Sequence, residues 1–142
     1  MSRTQITALK TYLEGLTFTD TALPGGSVAL AGRVTLLGPT DPQPQGGAPM
    51  AYVLPASVDA SAEGIMVTVR STYQVAIVLP VATPADALLV GAEVLSTLAS
   101  AVYRELLGAA TNEAVLSGGG VHHDRQARTV TCFCTLTLSL LV

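Results

Sequence analysis

Two periods alternate along the chain, one helical and one of strands, and each switch between them marks an element. Ile6, Leu9, Leu13 and Leu16 recur three or four residues apart, and Ser2 followed by Gln5 has the spacing of a capping box. An amphipathic helix is therefore expected over residues 4–16. After the polar stretch that ends in Pro24-Gly25-Gly26, Val28, Leu30, Val34 and Leu36 alternate with small or polar residues, the pattern of a strand bent at Gly32. Residues 51–54 read as a short strand closed by Pro55, with residues 57–63 as a small polar connection. The clearest strand follows. Ile65, Val67, Val69, Tyr73, Val75, Ile77 and Leu79 hold odd positions, and Thr68, Arg70, Thr72 and Gln74 hold even ones, so one face is core and the other partly polar.

The period then changes to that of a long helix. Pro84 suits its first turn and Asp86 the positive end of its dipole. Leu88, Ala92, Leu95, Ala99, Val102 and Leu106 form one stripe as far as Gly108, a C-terminal stop. Leu89, Val90, Val94, Leu98 and Ala101 lie off that stripe and are also apolar or small, which predicts burial on more than one side. Gly118-Gly119-Gly120 reads as a mobile turn. From Thr129 a last strand sets Val130, Cys132, Cys134, Leu136, Leu138 and Leu140 against Thr129, Thr131, Phe133, Thr135, Thr137 and Ser139. Helix, strands, helix, strand is an α+β order. The expected architecture is an antiparallel β-sheet of about four strands, with the N-terminal helix and one long helix packed on it.

Composition narrows the function. The 142 residues suit a single domain, and 12% charged residues is about half the usual share. So little charge suggests an outer surface covered in part by other chains. No membrane span is expected, because Pro80, Pro84, Asp86 and Glu93 interrupt the apolar stretches. Lys10 and Glu14 interrupt residues 6–16 where a secretory signal would be apolar, so synthesis in a host cytoplasm is the expectation. With seven Lys and Arg and a net charge of −3, the chain lacks the dense basic surface that nucleic-acid binding needs.

Candidate chemistry is thin. Cys132 and Cys134 stand two apart on a strand, pointing to one face. They read as buried thiols, since a structural zinc site would need four ligands and only His122 and His123 could join them. His122, His123 and Asp124, with Ser117 and Glu113, contain the residue types of a hydrolytic site but crowd beside the triple glycine, a poor place to preorganise one. A solvated hairpin tip is the alternative. The glycines lack the spacing of a phosphate cradle, and the acidic residues are scattered without an identifiable pair. Residues 38–50, with Pro39, Pro42, Pro44, Gly46, Gly47 and Pro49, form a flexible loop: either a floppy tip or a contact arm that orders on assembly.

One order of segments carries a resemblance. An amphipathic N-terminal helix is followed by Ala48-Pro49-Met50-Ala51-Tyr52-Val53-Leu54-Pro55 and by Tyr73-Gln74-Val75-Ala76-Ile77-Val78-Leu79. Next come a long helix ending Glu105-Leu106-Leu107-Gly108, then Gly118-Gly119 and a strand centred on Phe133. This succession resembles the tail terminator (tail completion) proteins of long-tailed bacteriophages, especially the Mu-like type, over nearly the whole chain.

The resemblance implies a structural virion protein rather than an enzyme, with no catalytic residue, cofactor or metal. Such a protein sits at the head-proximal end of the tail as a homo-hexameric ring, stops polymerisation of the tube and offers a surface for head joining. Its partners would be further copies of itself, the tail tube protein, a head-completion or connector protein and, in contractile tails, the sheath protein. DNA would be only cargo passing through the lumen, and no membrane is involved. Candidate contact residues are Pro42, Pro44, Gly46, Gly47 and Met50 around the loop, Arg70 on the central strand, and His122, His123, Arg125 and Arg128 at the tip. A head-tail connector, a tail tube subunit and a small hydrolase using the two histidines stand as alternatives.

Overall fold

The computed structural model describes residues 3–38, 40–42, 47–105 and 111–141, with side chains as far as residue 99 in the long helix. Ser2 of the expected capping box, Pro39, Leu106 and Gly108 lie outside the described residues, as does the side chain of Val102. The first helix, α1, spans Arg3–Glu14 and buries Leu9 and Leu13, with Ile6 and Leu16 packed partly against the core. Its apolar stripe is the one that the sequence spacing predicts.

Among the described residues seven strands follow, five of them in the main sheet where about four were expected. Strands β1 (Thr17–Thr19) and β2 (Ser27–Ala29) form a small antiparallel ribbon of their own. The main sheet contains β3 (Val34–Leu36), β4 (Met50–Glu63), β5 (Met66–Pro80), β6 (Glu113–Asp124) and β7 (Thr129–Leu141) in the spatial order β3-β4-β5-β7-β6. Every pairing in it is antiparallel except β3 with β4, where Val34 lies opposite Ala51 and Leu36 opposite Val53 in a parallel register. A parallel pair needs a long return connection. Residues 37–49 supply it, so the length of the Pro/Gly-rich loop has a topological reason as well as any contact role.

Residues 57–63, read from sequence as a connection, belong to β4. The strand carries a bulge: Pro55 lies opposite Tyr73 and Ser57 opposite Thr72, which leaves Ala56 as the extra residue. The positions on the core side of the ladder therefore change from odd (Ala51, Val53, buried) to even (Val58, Ala60, Ala62, exposed beyond the core), and that change of phase hides the strand. A tight turn at Gly64 and Ile65 joins β4 to β5, with Gly64 at a positive φ of 64°. Ile65, expected to open a strand on its core face, is 99% exposed at this turn. The triple glycine, expected to be a turn, lies inside β6 at a second bulge between Ser117 and Gly120. A Cβ on Gly120 would stand 2.5 Å from Cζ of Phe133, so the aromatic ring occupies the space a side chain would need. The actual turn between β6 and β7 is residues 125–128.

Both helices and the small ribbon cover one face of the sheet. Tyr73, Val75, Ile77 and Leu79 of β5 and Val130, Cys132, Cys134, Leu136 and Leu138 of β7 are buried there with Leu9, Leu13, Leu23 and Leu30. Tyr73 is fully buried, and its hydroxyl donates to Gln5 Oε1 at 3.4 Å, linking the sheet to α1. Tyr73→Phe should lower stability by about 1 kcal/mol, the usual worth of one buried hydrogen bond. A urea titration that leaves the midpoint unmoved would deny that link any role.

The long helix, α2, spans Ala87–Glu105 and presents a different face from the one expected. Ala87, Val90, Val94 and Leu98 are buried, whereas Leu88 is 60% and Leu89 65% exposed. Apolar residues stand nearly all round this helix, so two stripes with the same spacing compete. Gly91 decides between them: a Cβ there would overlap the Val121 side chain of β6, and only this face brings the helix backbone down onto the sheet. Cys132 Sγ donates to the Gly91 carbonyl oxygen at 3.6 Å, across the same close approach.

Candidate functional site

Three surfaces stand out, and none has the layout of a preorganised catalytic centre. The first is the end of the β4–β5 hairpin. Every residue from 56 to 66 is exposed, including Val58 at 48% and Met66 at 50%. Asp59, Ser61 and Glu63 share one face of this arm with Thr68 and Arg70, and Val58, Ala60 and Ala62 share the other with Val67 and Val69. Arg70, a candidate contact residue, lies opposite Asp59 and donates from Nη1 to Ser61 Oγ at 3.3 Å.

The second surface is the sheet face without helices. Phe133, 46% exposed, borders a cavity of about 420 Å³ together with Tyr52, Leu54, Gln74, Ala76 and Thr131. Asp41 closes one side, and its Oδ2 accepts from the Gly38 N–H at 2.7 Å. Pro42 and Gly47, both exposed, belong to the return loop, and Met50 opens β4, half-buried. Pro44 and Gly46 lie outside the described residues.

The third surface lies where α2 begins. Pro84, Ala85, Leu88, His123, Arg125 and Arg128 line an open cleft of about 540 Å³. Three of the candidate contact residues, His123, Arg125 and Arg128, therefore come together, whereas Arg70 is far along the sheet and His122 points to the opposite face from His123. Arg128 adopts a positive φ of 54° in the turn, and both arginines line the cleft at the helix start.

The hydrolytic constellation does not assemble. Asp124 is occupied by the turn, its Oδ1 accepting from the N–H groups of Gln126 at 3.0 Å and Ala127 at 3.1 Å. Ser117 and Glu113 are distributed along β6 opposite Thr135 and Ser139, away from the histidines. Cys132 and Cys134 point into the core as expected, and burial pushes the Cys132 thiol up to about 12 and the Cys134 thiol to about 11. The neighbouring Cys134 adds a smaller contribution for Cys132. Among the described residues, no group of three His, Cys, Asp or Glu side chains gathers as a metal site.

One carboxyl pair escaped the sequence reading, because its members are distant in the chain. Asp20, after β1, meets Glu93 of α2, and a hydrogen bond that the protonated Glu93 carboxyl donates to Asp20, with the Asp20 charge, holds the Glu93 carboxyl above its ordinary value. Asp20→Ala should therefore bring the Glu93 titration down, as read by carbon-detected NMR; an unchanged midpoint would mean that the pair is not formed. No helix among the described residues is long and apolar enough to cross a membrane. No family model matches the chain, and no curated protein matches it either.

Proposed function

We propose that this chain is a tail terminator of a long-tailed bacteriophage, a structural virion protein that forms a ring at the head-proximal end of the tail tube, stops its growth and offers the surface to which the head joins. The observation that carries the reading is the division of uncovered surface between the two ends of one sheet. The hairpin arm with Ile65 and Met66 is at one end of β5, and Leu88 with the arginine turn is at the other. A ring of identical subunits needs such unlike ends, because each copy's front must match its neighbour's back. The low charge content and the exposed Leu88, Leu89 and Phe133 support covering by other chains. The order of segments from the N-terminal helix to the Phe133 strand supports the same class.

The test is negative-stain electron microscopy of particles from a phage in which this gene is disrupted. Overlong, headless tails beside filled heads are the expected result. Tails of normal length that fail to join heads would instead indicate a connector. A tube subunit is the second reading, favoured by the length of the β4–β5 hairpin, which could bridge stacked rings. The purified chain would then grow into filaments on its own, and a terminator would not.

A further inference from the structure

The arm and the cleft are complementary in chemistry as well as opposite in position. At the arm tip, exposed Ile65 and Met66 adjoin the carboxylate of Glu63, which lies opposite Met66, whereas Asp59 stands four residues back along the arm, opposite Arg70. In the cleft, exposed Leu88 with Pro84 and Ala85 is flanked by the guanidinium groups of Arg125 and Arg128. His123 Nε2 is shielded from solvent there without a hydrogen-bond partner. A shielded ring nitrogen of this kind has unmet bonding capacity, which a docking segment can satisfy. The cleft volume of about 540 Å³ is enough for a few side chains of a tight turn.

We propose that the arm tip of one copy docks in the arginine cleft of a second copy, with Ile65 and Met66 against Leu88 and the Glu63 carboxylate facing Arg125 and Arg128. The contact deepens the ring reading above and rests on it. It is heterologous: tip and cleft lie at opposite ends of β5 and β7, since Met66 begins β5, and Pro80 at its end pairs with Thr129 beside the cleft turn. Each copy then uses its arm on one neighbour and its cleft on the other, an arrangement that closes into a ring when the rotation per step divides a full turn. Apolar contact supplies most of the attraction, and the charge pairs fix register and reject the reversed orientation.

The experiment is sedimentation velocity of the full chain and of two charge-reversed variants, Glu63→Arg and Arg125→Glu/Arg128→Glu. All the substituted residues are exposed, so both variants should fold, which circular dichroism checks. The unmodified chain should self-associate, each variant alone should associate roughly a hundredfold more weakly, and an equimolar mixture of the two should recover association. Recovery in the mixture is the decisive outcome, because arms and clefts regain opposite charge only between unlike copies. An unmodified chain that stays monomeric, variants that associate undiminished, or a mixture that stays dissociated would each overturn the contact.

A second variant needs no charge change. Ile65→Cys/Leu88→Cys, oxidised with diamide, should give a ladder of covalent multimers, and each single variant dimers at most; a double variant limited to dimers would also overturn the contact. The ring reading has its own separate readout. Overlong tails in the gene disruption, together with intact rings of the charge-reversed variants, would leave the terminator standing and remove this interface. Loss of tube capture by the cleft variant without loss of self-association would assign the cleft to the tube protein, against the proposal.

Discussion

Raising the pH from 9 to 11 should remove about 4 kcal/mol of folding stability, a large share of what holds a domain of this size together. The cause is the pair of thiols on the inner face of β7. In the unfolded chain both ionise near 9, whereas in the fold burial holds Cys132 up to about 12 and Cys134 up to about 11. The Cys132 S–H also donates to the Gly91 carbonyl, a bond only the protonated form can make. Across this window the native state keeps protons that the unfolded state gives up. Stability is thus whole below pH 9 and declines as the pH climbs toward the folded values, by about 1.4 kcal/mol per pH unit for each thiol. Tyr73 acts in the same direction at higher pH, since burial raises its hydroxyl despite an opposing hydrogen bond with Ser71. Urea unfolding at several pH values would measure the slope. The Cys132→Ala/Cys134→Ala chain should start less stable and lose stability more slowly; an equal slope would deny the thiols this role.

Gly91→Leu should cost about 3 kcal/mol or more, and even Gly91→Ala should destabilise by about 1–2 kcal/mol. The sign of the alanine result is informative. Within an exposed helix, glycine to alanine gains roughly 1 kcal/mol from backbone entropy. At Gly91 the added Cβ overlaps the Val121 side chain, so the helix must lift from the sheet or the valine must yield. A fall of about 5 °C in the melting temperature follows for the alanine variant. Adding Val121→Ala to Gly91→Ala should recover part of the loss, as expected when two residues compete for one space. A stabilised Gly91→Ala single variant would mean that the helix crosses the sheet elsewhere.

Where the alternation kept its phase, the fold could be read from the residues. Tyr73 to Leu79 and Val130 to Leu138 each turn one parity inward without a break, and both lie in the core as the pattern demands. The hairpin arm was hidden because Ala56 shifts the parity of the two faces within β4, and β6 was hidden because its three glycines carry no side-chain pattern at all. The exposed side of α2 could not be read by period, as Leu88 and Leu89 are as apolar as Val90 and Val94. Gly91 was the available signal, a glycine inside an otherwise strong helix, which marks a close approach. Of the candidate contacts, His123, Arg125 and Arg128 were adjacent in sequence and remained together in space. The residues that complete their cleft, Pro84 and Leu88, come from another element, and only the pairing of β7 beside β5 brings them there.

The length of the central hairpin governs how the molecule moves through a solvent. A strand such as β5, Met66–Pro80, extends roughly 50 Å at ordinary rise, whereas a compact chain of 142 residues has a radius of gyration of only about 15 Å. Such a particle drags more than a sphere of its mass, so on a gel-filtration column one copy elutes early and imitates a larger assembly. Subunit number must therefore be read from mass, by light scattering or sedimentation equilibrium, because elution volume reports the reach of the hairpin as much as the number of chains.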